Sequence, residues 1–283
     1  MLNFGLFGLH RGANADPETL ARRARLAEAA GFESLWLGDH VTLPYGSRAE
    51  PKLPADQPRL EVVVELGYLA AITSSVRLGL GVIVLPQRQP VLLAKQLTTV
   101  DVLSGGRLIF GIGVGYLEPE LSALGANLRD RGARTDEYLA AIRAIWNQHA
   151  PSFDGRFVQF HEVMQRPLPV QQPHPPIVVG GSSTPPYRRA ILSANGFYGS
   201  NYDLARTAAV LAEIWQLART LERPAELGDL EITVTPTEEM TLGLARQYAD
   251  LGVHRLLLQP RDLNGLEMEH LISEVGDRLV GRV

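Results

Sequence analysis

The chain has 283 residues, of which 45% are hydrophobic, and it carries a formal net charge of −4. This size suits one large domain or two small ones, and no segment concentrates Lys or Arg as a nucleic-acid binder would. The chain has no cysteine, which excludes disulfides, thiolate metal ligands and cysteine nucleophiles.

Composition and segment lengths indicate where the protein acts and which class of partner it binds. No apolar run reaches the roughly 20 residues that span a bilayer, so no membrane partner is expected. The first residues, MLNFGLFGLHR, lack the basic leader and the apolar length of a secretory signal. Without a basic stripe, nucleic acid is not an expected partner either. We therefore expect a cytoplasmic protein that acts on a small molecule.

Strand-like and helix-like segments alternate from the start of the chain. Gly31 suits the residue after the first helix, and Pro90 suits the first turn of the third. Four strand–helix pairs are predicted, at 3–9 with 17–30, 34–37 with 61–72, 77–85 with 90–103, and 107–114 with 134–147.

The second half of the chain continues the alternation after an irregular segment. A small hairpin is predicted at 153–160, around Asp154 and Gly155, and a Pro-rich bridge follows at 167–176. Four more pairs are predicted, at 177–179 with 185–194, 196–198 with 204–219, 231–234 with 238–250, and 255–258 with 266–279.

Eight strand–helix pairs in this length favour an α/β fold of the (β/α)8 TIM-barrel type over a doubly wound sheet. Residues 1–283 are then one domain, with inserted loops at about 41–60, 117–133 and 150–176. The active site of such a barrel lies in the loops that follow the strands, so residues directly after each strand are the candidates for function.

Glycines recur at every second position of two neighbouring predicted strands, and they share one face of each. A dinucleotide-binding loop is excluded because Tyr116 stands where the third glycine of G-x-G-x-x-G is needed. Two interpretations stay open: the glycines accommodate bulky neighbours in a tapered core, or they leave room for a flat, broad ligand. Five glycines in register favour the ligand. They are Gly79, Gly81, Gly111, Gly113 and Gly115.

Four stretches carry a family resemblance: LWLGDHVTLP (35–44), LGLGVIVLPQRQPVLLAKQLTTVDVLSGGRLIFGIGVGYLEPELSALG (78–125), RGARTDEYLAAIRAIW (131–146) and PHPPIVVGGSS (173–183). They resemble the luciferase-like monooxygenase superfamily, and most of all its branch of oxidoreductases that depend on a deazaflavin, coenzyme F420. The resemblance implies a barrel of the bacterial-luciferase type that binds F420, or alternatively FMN, at the carboxyl ends of the strands. It also implies a homodimer.

The resemblance assigns residues to the coenzyme. In the family, a cis peptide between non-prolyl residues of the third strand lies against the ring, and the matching bond here is Gly81–Val82. The turn after the fifth strand would hold the coenzyme phosphate, since exposed N–H groups before a helix attract anions, although an ordinary turn is the alternative. The predicted coenzyme contacts are Gly79, Gly81, Val82, Gly111, Gly113, Gly115, Gly180, Gly181, Ser182 and Ser183.

Asp39, His40 and Tyr116 are the predicted catalytic residues. Asp39 and His40 follow the second strand, and an imidazole exchanges protons near neutral pH; a simple cap of the loop is the equal alternative. By resemblance, a histidine matching His40 lies near the reacting ring carbon. The sugar-phosphate dehydrogenases of the family carry a glutamate where this chain has Tyr116, so their acid–base scheme and substrate are not carried over. Tyr116 is a candidate proton donor or stacking group.

Four further residues follow strands and are candidates to face ligand charge, with solvated loop positions as the alternative. They are His10, Arg11, Arg88 and Arg261.

The predicted function is hydride transfer between reduced F420 and an unidentified small organic substrate. An FMN-dependent monooxygenase using dioxygen and a non-catalytic flavin-binding relative are the alternatives. A Schiff-base aldolase is disfavoured because Lys52 and Lys95 lie in a predicted loop and helix. A metal-dependent hydrolase is disfavoured because the seven histidines show no H-x-H or H-E-x-x-H spacing, so no metal is expected.

Overall fold

The computed structural model describes residues 1–45, 53–260 and 266–283. In chain order the elements are β1 (Asn3–Phe7), α1 (Pro17–Ala29), β2 (Ser34–Leu37), α2 (Val62–Ile72), β3 (Arg77–Leu80), β4 (Ile83–Val84), α3 (Pro90–Leu103), β5 (Leu108–Gly113), α4 (Glu118–Ala123) and α5 (Arg131–Asn147). They continue with β6 (Phe153–Asp154), β7 (Gln159–Phe160), β8 (Ile177–Gly180), α6 (Thr184–Ser193), β9 (Gly196–Tyr202), α7 (Leu204–Ala218), β10 (Glu231–Pro236), α8 (Leu242–Asp250), β11 (Arg255–Leu258) and α9 (Glu267–Arg278).

The main sheet is a closed parallel barrel, which confirms the predicted fold class. Its strand order is β3-β2-β1-β11-β10-β9-β8-β5-β4, and a pairing between β3 and β5 closes the circle. Strands β3 and β4 share one of the eight positions around the barrel. The predicted hairpin is present as the antiparallel pair β6–β7. Within the described ranges, no helix is both long enough and apolar enough to cross a membrane.

Alternation along the strands separates two apolar layers. Leu35 and Leu37 of β2 belong to the large core between barrel and helices, whereas Trp36 points into the barrel. The barrel interior is filled by Trp36, Ile109, Val178, Tyr198 and Leu257, with Phe7 and Val82 packed against them. A filled interior leaves the carboxyl ends of the strands as the place for a ligand.

The amino end of the barrel is closed by an ion network. The buried Arg255 guanidinium, at the start of β11, donates hydrogen bonds of 2.7 and 3.0 Å to Glu33 and a further one to Glu231. It also lies 5.6 Å from the ring centroid of Trp36, at the base of the interior layer. The two carboxylates compensate the charge that burial would otherwise leave unpaired.

The third barrel strand differs from its prediction as one run over 77–85. It stops at Leu80 and resumes at Ile83, and the Gly81–Val82 peptide between them is cis, as the resemblance implied. The Gly81 N–H donates to the Leu37 carbonyl at 2.7 Å, and the Val82 carbonyl accepts from Asp39 N–H at 3.3 Å. The interrupted segment is thereby bonded to the end of β2.

Three helices also differ from their predictions, and one of them, α5, begins at Arg131 rather than at residue 134. The predicted loop 117–133 contains α4, because Leu121 packs into a small cluster with Val84 and Ala126. Helix α8 begins at Leu242 rather than at residue 238, since the Thr241 side chain caps it. Glu238 instead accepts hydrogen bonds from the Leu204 N–H and the Tyr248 hydroxyl.

Candidate active site

The strand glycines face protein atoms rather than open space. A Cβ on Gly79 would overlap the Trp36 indole, and one on Gly113 would lie 2.5 Å from a methyl group of Val82. A Cβ on Gly111 would overlap the Leu80 carbonyl group. At these three positions the glycines accommodate neighbouring protein groups, and their predicted contact with the coenzyme stays a prediction.

Val82 occupies the space that the β5 glycines and Gly180 leave. A Cβ on Gly180 of β8 would lie 2.8 Å from the Cγ1 methyl group of Val82, whereas a Cβ on Gly113 would meet the Cγ2 methyl group. Gly79, Gly111 and Gly113 are buried, whereas Gly81 and Val82 remain partly exposed at the carboxyl end of the barrel. The predicted contact between Val82 and the coenzyme ring stays a prediction. The exposed part of the Val82 side chain is the surface that such a contact would use.

Gly115 directs the chain from β5 towards Tyr116. Its φ is +75°, a left-handed conformation that glycine adopts without steric cost, and a Cβ here would lie 2.6 Å from Val84. The exposed Tyr116 ring that follows meets the His40 ring edge to face, with centroids 6.0 Å apart. Burial, and then the charge of Glu120, raise the pKa of Tyr116, so its phenol is protonated at neutral pH.

Asp39 is a structural anchor in this arrangement. Its carboxylate accepts hydrogen bonds from the Val84 N–H at 2.9 Å and from Arg88 at 2.6 and 3.3 Å. Burial raises the pKa of Asp39, against the lowering by the Arg88 charge. Both oxygens are engaged by the protein, so Asp39 holds β2 against β4, and its predicted catalytic role stays a prediction. Arg88 is likewise committed to Asp39 and Glu61 rather than to a ligand.

His40 is held by a residue that sequence reasoning missed. Its Nδ1 lies 2.8 Å from Oε2 of Glu120, in the first turn of α4. The other oxygen, Oε1, accepts from the N–H groups of Val41 at 2.7 Å and Thr42 at 3.3 Å. Since that carboxylate accepts, we assign the Nδ1 hydrogen to His40, which leaves Nε2 as its proton-exchanging atom. No local spacing connects positions 40 and 120, so only the closed barrel reveals the pair.

Three basic residues, His10, Arg11 and Arg59, lie near the His40–Glu120 pair at the carboxyl end of the barrel, which we call its mouth. Nδ1 of the buried His10 accepts from the Gly38 N–H at 3.2 Å, and burial, then the charges of Arg11 and Arg59, hold the pKa of His10 well below its usual value. His10 is therefore neutral. Arg261, the fourth charged candidate, lies outside the described residues, as does Lys52.

The turn after β8 presents free backbone donors. Gly181, Ser182 and Ser183 are exposed, and Ser183 stands at the N-cap of α6 without a capping hydrogen bond from its side chain. The first N–H groups of any helix lack partners within the helix, and they are a ready anion site. Gly181 is required here because a Cβ would lie 2.6 Å from Pro186.

Comparison with known proteins assigns the class. The family model of luciferase-like monooxygenases matches residues 2–251. The chain therefore belongs to the luciferase-like monooxygenase family, whose members are oxidoreductases and monooxygenases. An uncharacterized protein of Mycobacterium tuberculosis (strain ATCC 25618 / H37Rv) is 34% identical over 272 residues, covering 92% of this chain and 94% of that protein.

Two further similar proteins carry informative names. The FMNH2-dependent dimethylsulfone monooxygenase of Pseudomonas putida is 34% identical over 163 residues, which are 56% of this chain and 42% of that protein. The coenzyme F420-dependent tetrahydromethanopterin reductase of Methanopyrus kandleri has the same fold, with a TM-score of 0.77 at 15% identity, covering 99% and 98% of the two chains. Its likeness establishes the bacterial-luciferase type of barrel, and a flavin-type cofactor is consistent with both names.

Proposed function

We propose that this protein is an oxidoreductase that transfers hydride between reduced coenzyme F420 and a small organic substrate at the carboxyl end of the barrel. The observation that carries the proposal is the His40–Glu120 pair, with Nδ1 and Oε2 2.8 Å apart. Hydride transfer to a carbonyl or imine is accompanied by a proton, and an imidazole oriented by a carboxylate can give or take one.

The residues at the barrel mouth fit a flavin-type coenzyme. Val82 offers a partly exposed apolar surface beside Gly81, on which one face of a flat ring can rest. The exposed N–H groups of 181–183 offer donors for its phosphate, aided by the positive end of the α6 dipole. When bound, a reduced deazaflavin supplies hydride from the ring carbon that replaces N5 of a flavin.

The protein's own part in the reaction is the movement of one proton. Glu120 holds the Nδ1–H of His40 and so fixes the tautomer and the ring orientation, which leaves Nε2 to exchange the proton. His40 Nε2 then gives or takes the proton that accompanies hydride transfer. Tyr116, whose phenol is protonated at neutral pH, packs on His40 and restricts the access of water to it.

An FMN-dependent monooxygenase is the second candidate, favoured by the name of the Pseudomonas putida relative. Titration of both coenzymes into the apoprotein, by calorimetry or fluorescence, separates the two. We expect F420 to bind more tightly than FMN. Tight FMN binding with oxygen consumption would establish the monooxygenase, and tight binding without turnover of any substrate would indicate a non-catalytic relative.

His40→Ala is expected to lower turnover by about 10²–10⁴-fold, the usual effect of losing a general acid or base. Coenzyme affinity should stay unchanged, and added imidazole should restore part of the rate. Glu120→Gln should lower kcat less than His40→Ala, and the double variant should be no slower than His40→Ala alone, because Glu120 acts through His40. An unimpaired His40→Ala enzyme would remove His40 from the mechanism.

A further inference from the structure

Two arginines lie directly opposite each other at the mouth of the barrel. After β1, residues 10–12 run antiparallel to residues 58–60, with Gly12 N–H donating to Pro58 at 3.0 Å and Leu60 N–H donating to His10 at 3.0 Å. Between these bonds, Arg11 and Arg59 form an antiparallel bridge. Opposite residues of such a pair place their side chains on the same face, with Cβ atoms about 5 Å apart.

This arrangement is unfavourable for the protein alone. Like charges directly opposite each other across a strand pair repel. The effect is visible at Arg11, since burial and then the charge of Arg59 lower its pKa. By contrast, Arg88 is paired with the Asp39 carboxylate and Arg255 with that of Glu33.

No carboxylate of the described residues neutralises Arg11 or Arg59. Among residues 1–45, 53–260 and 266–283, none lies within 4.0 Å of either guanidinium. Arg11 donates to the neutral amide of Gln259 and Arg59 to that of Gln57, both at 3.3 Å. The Nε atom of each arginine is buried without a hydrogen-bond partner in the described part of the chain. Since a guanidinium carries five N–H donors, most of the donors of this pair are free for a ligand.

The arginine pair adjoins the proposed proton-transfer group. The charge of Glu120 acts on Arg59 at longer range, but its oxygens are already occupied by His40 and backbone N–H groups. His10, next to Arg11, stays neutral and adds no third cation. Two positive charges with free donors therefore stand beside the position where the substrate would meet His40.

We propose that Arg11 and Arg59 bind an oxyanion of the substrate, a carboxylate or a phosphate, and so select anionic substrates. The assignment to the substrate rests on the proposed function. Guanidinium forks match such groups with paired charge-assisted hydrogen bonds, and an anion between the two arginines removes their repulsion. The same oxyanion could come from the coenzyme's own phosphate, so the experiment separates the two sources.

The first arm uses the apoprotein and needs no turnover. Acetate and inorganic phosphate are titrated, at constant ionic strength with chloride, into the wild type, Arg11→Gln/Arg59→Gln and Arg246→Gln, while thermal unfolding and calorimetry are recorded. Arg246 is an exposed arginine of α8, so it controls for loss of charge. At least one anion should bind the wild type and the control, and binding should fall about tenfold or more in the double variant. Equal anion binding by all three proteins would overturn the proposal.

The second arm identifies the source of the anion. The affinities for F420 and for FMN are measured on the same three proteins. For each coenzyme, the values for the three proteins should agree within about twofold. A tenfold loss of coenzyme affinity in the double variant would assign the pair to the coenzyme and overturn the substrate assignment. If neither coenzyme binds the wild type while the anion does, the proposed function fails and the anion site stands.

Folding of the variants is checked within the same experiment. Removal of the repulsion predicts that Arg11→Gln/Arg59→Gln melts at or above the wild-type temperature without anion. Should that variant not fold, Arg11→Lys/Arg59→Lys keeps the charges but loses the forked geometry. Anion affinity should then be weaker than in the wild type, and undiminished affinity would contradict recognition by the guanidinium forks.

Discussion

At the residue scale, Val82 explains the glycines around it. Its methyl groups fill the space beside Gly113 and Gly180, where a Cβ would lie 2.5 and 2.8 Å away. A β-branched side chain has little rotational freedom to move aside. Val82 can therefore occupy its position at the carboxyl end of the barrel only because Gly113 and Gly180 have no side chain.

This packing predicts a coupled pair of substitutions. Gly113→Ala should destabilise the protein by about 1–3 kcal/mol, the usual cost of overpacking. Val82→Ala removes the opposing methyl group, and the Val82 Cβ itself would lie 3.6 Å from the new one, an ordinary contact. In Gly113→Ala/Val82→Ala we therefore expect a favourable coupling of about 1 kcal/mol or more, measured by denaturant unfolding. Additive effects would show that Val82 is not what Gly113 accommodates.

At the scale of the element, α2 buries a carboxylic acid, Glu65, that no described residue pairs with. Glu65 is 2% exposed, and both of its carboxylate oxygens lack a hydrogen-bond partner among the described residues. Burial, and then the charge of Glu61, raise the pKa of Glu65 to about 8. The folded state therefore holds a proton on Glu65 that the unfolded chain loses near its ordinary pKa of 4.5.

The sign of the pH dependence follows from this difference. The stability contributed by protonated Glu65 is full below pH 4.5 and is lost as the pH rises towards 8. Glu65→Gln should thus matter little at pH 5 and stabilise the protein by about 2–4 kcal/mol at pH 8.5. Thermal unfolding at the two pH values measures it, with the exposed Glu239→Gln as control. A stabilisation that does not grow with pH would contradict a neutral buried Glu65.

At the scale of the whole molecule, stability and chemistry lie at opposite ends of the barrel. Arg255 closes the amino end, whereas His40, Val82 and the turn 180–183 lie at the carboxyl end. Arg255→Met should lower the free energy of unfolding by about 2 kcal/mol or more, because Glu33 and Glu231 lose their cation. Coenzyme affinity should not change. Loss of coenzyme binding at unchanged stability would refute this division. The homodimer implied by the resemblance stays a prediction that the mass in solution would test.

Local patterns in the sequence were sufficient to predict the barrel fold and to locate part of the candidate active site. Strand alternation, helix periodicity and the residues that end helices depend on neighbours within a few positions, so they predicted the eight pairs and located His40 directly after β2. The resemblance added the Gly81–Val82 bond. Only the tertiary structure decided which residue holds His40, what fills the space at Gly113, and that Arg11 faces Arg59. These contacts join residues tens of positions apart, and closure of the barrel, which no local pattern encodes, brings them together.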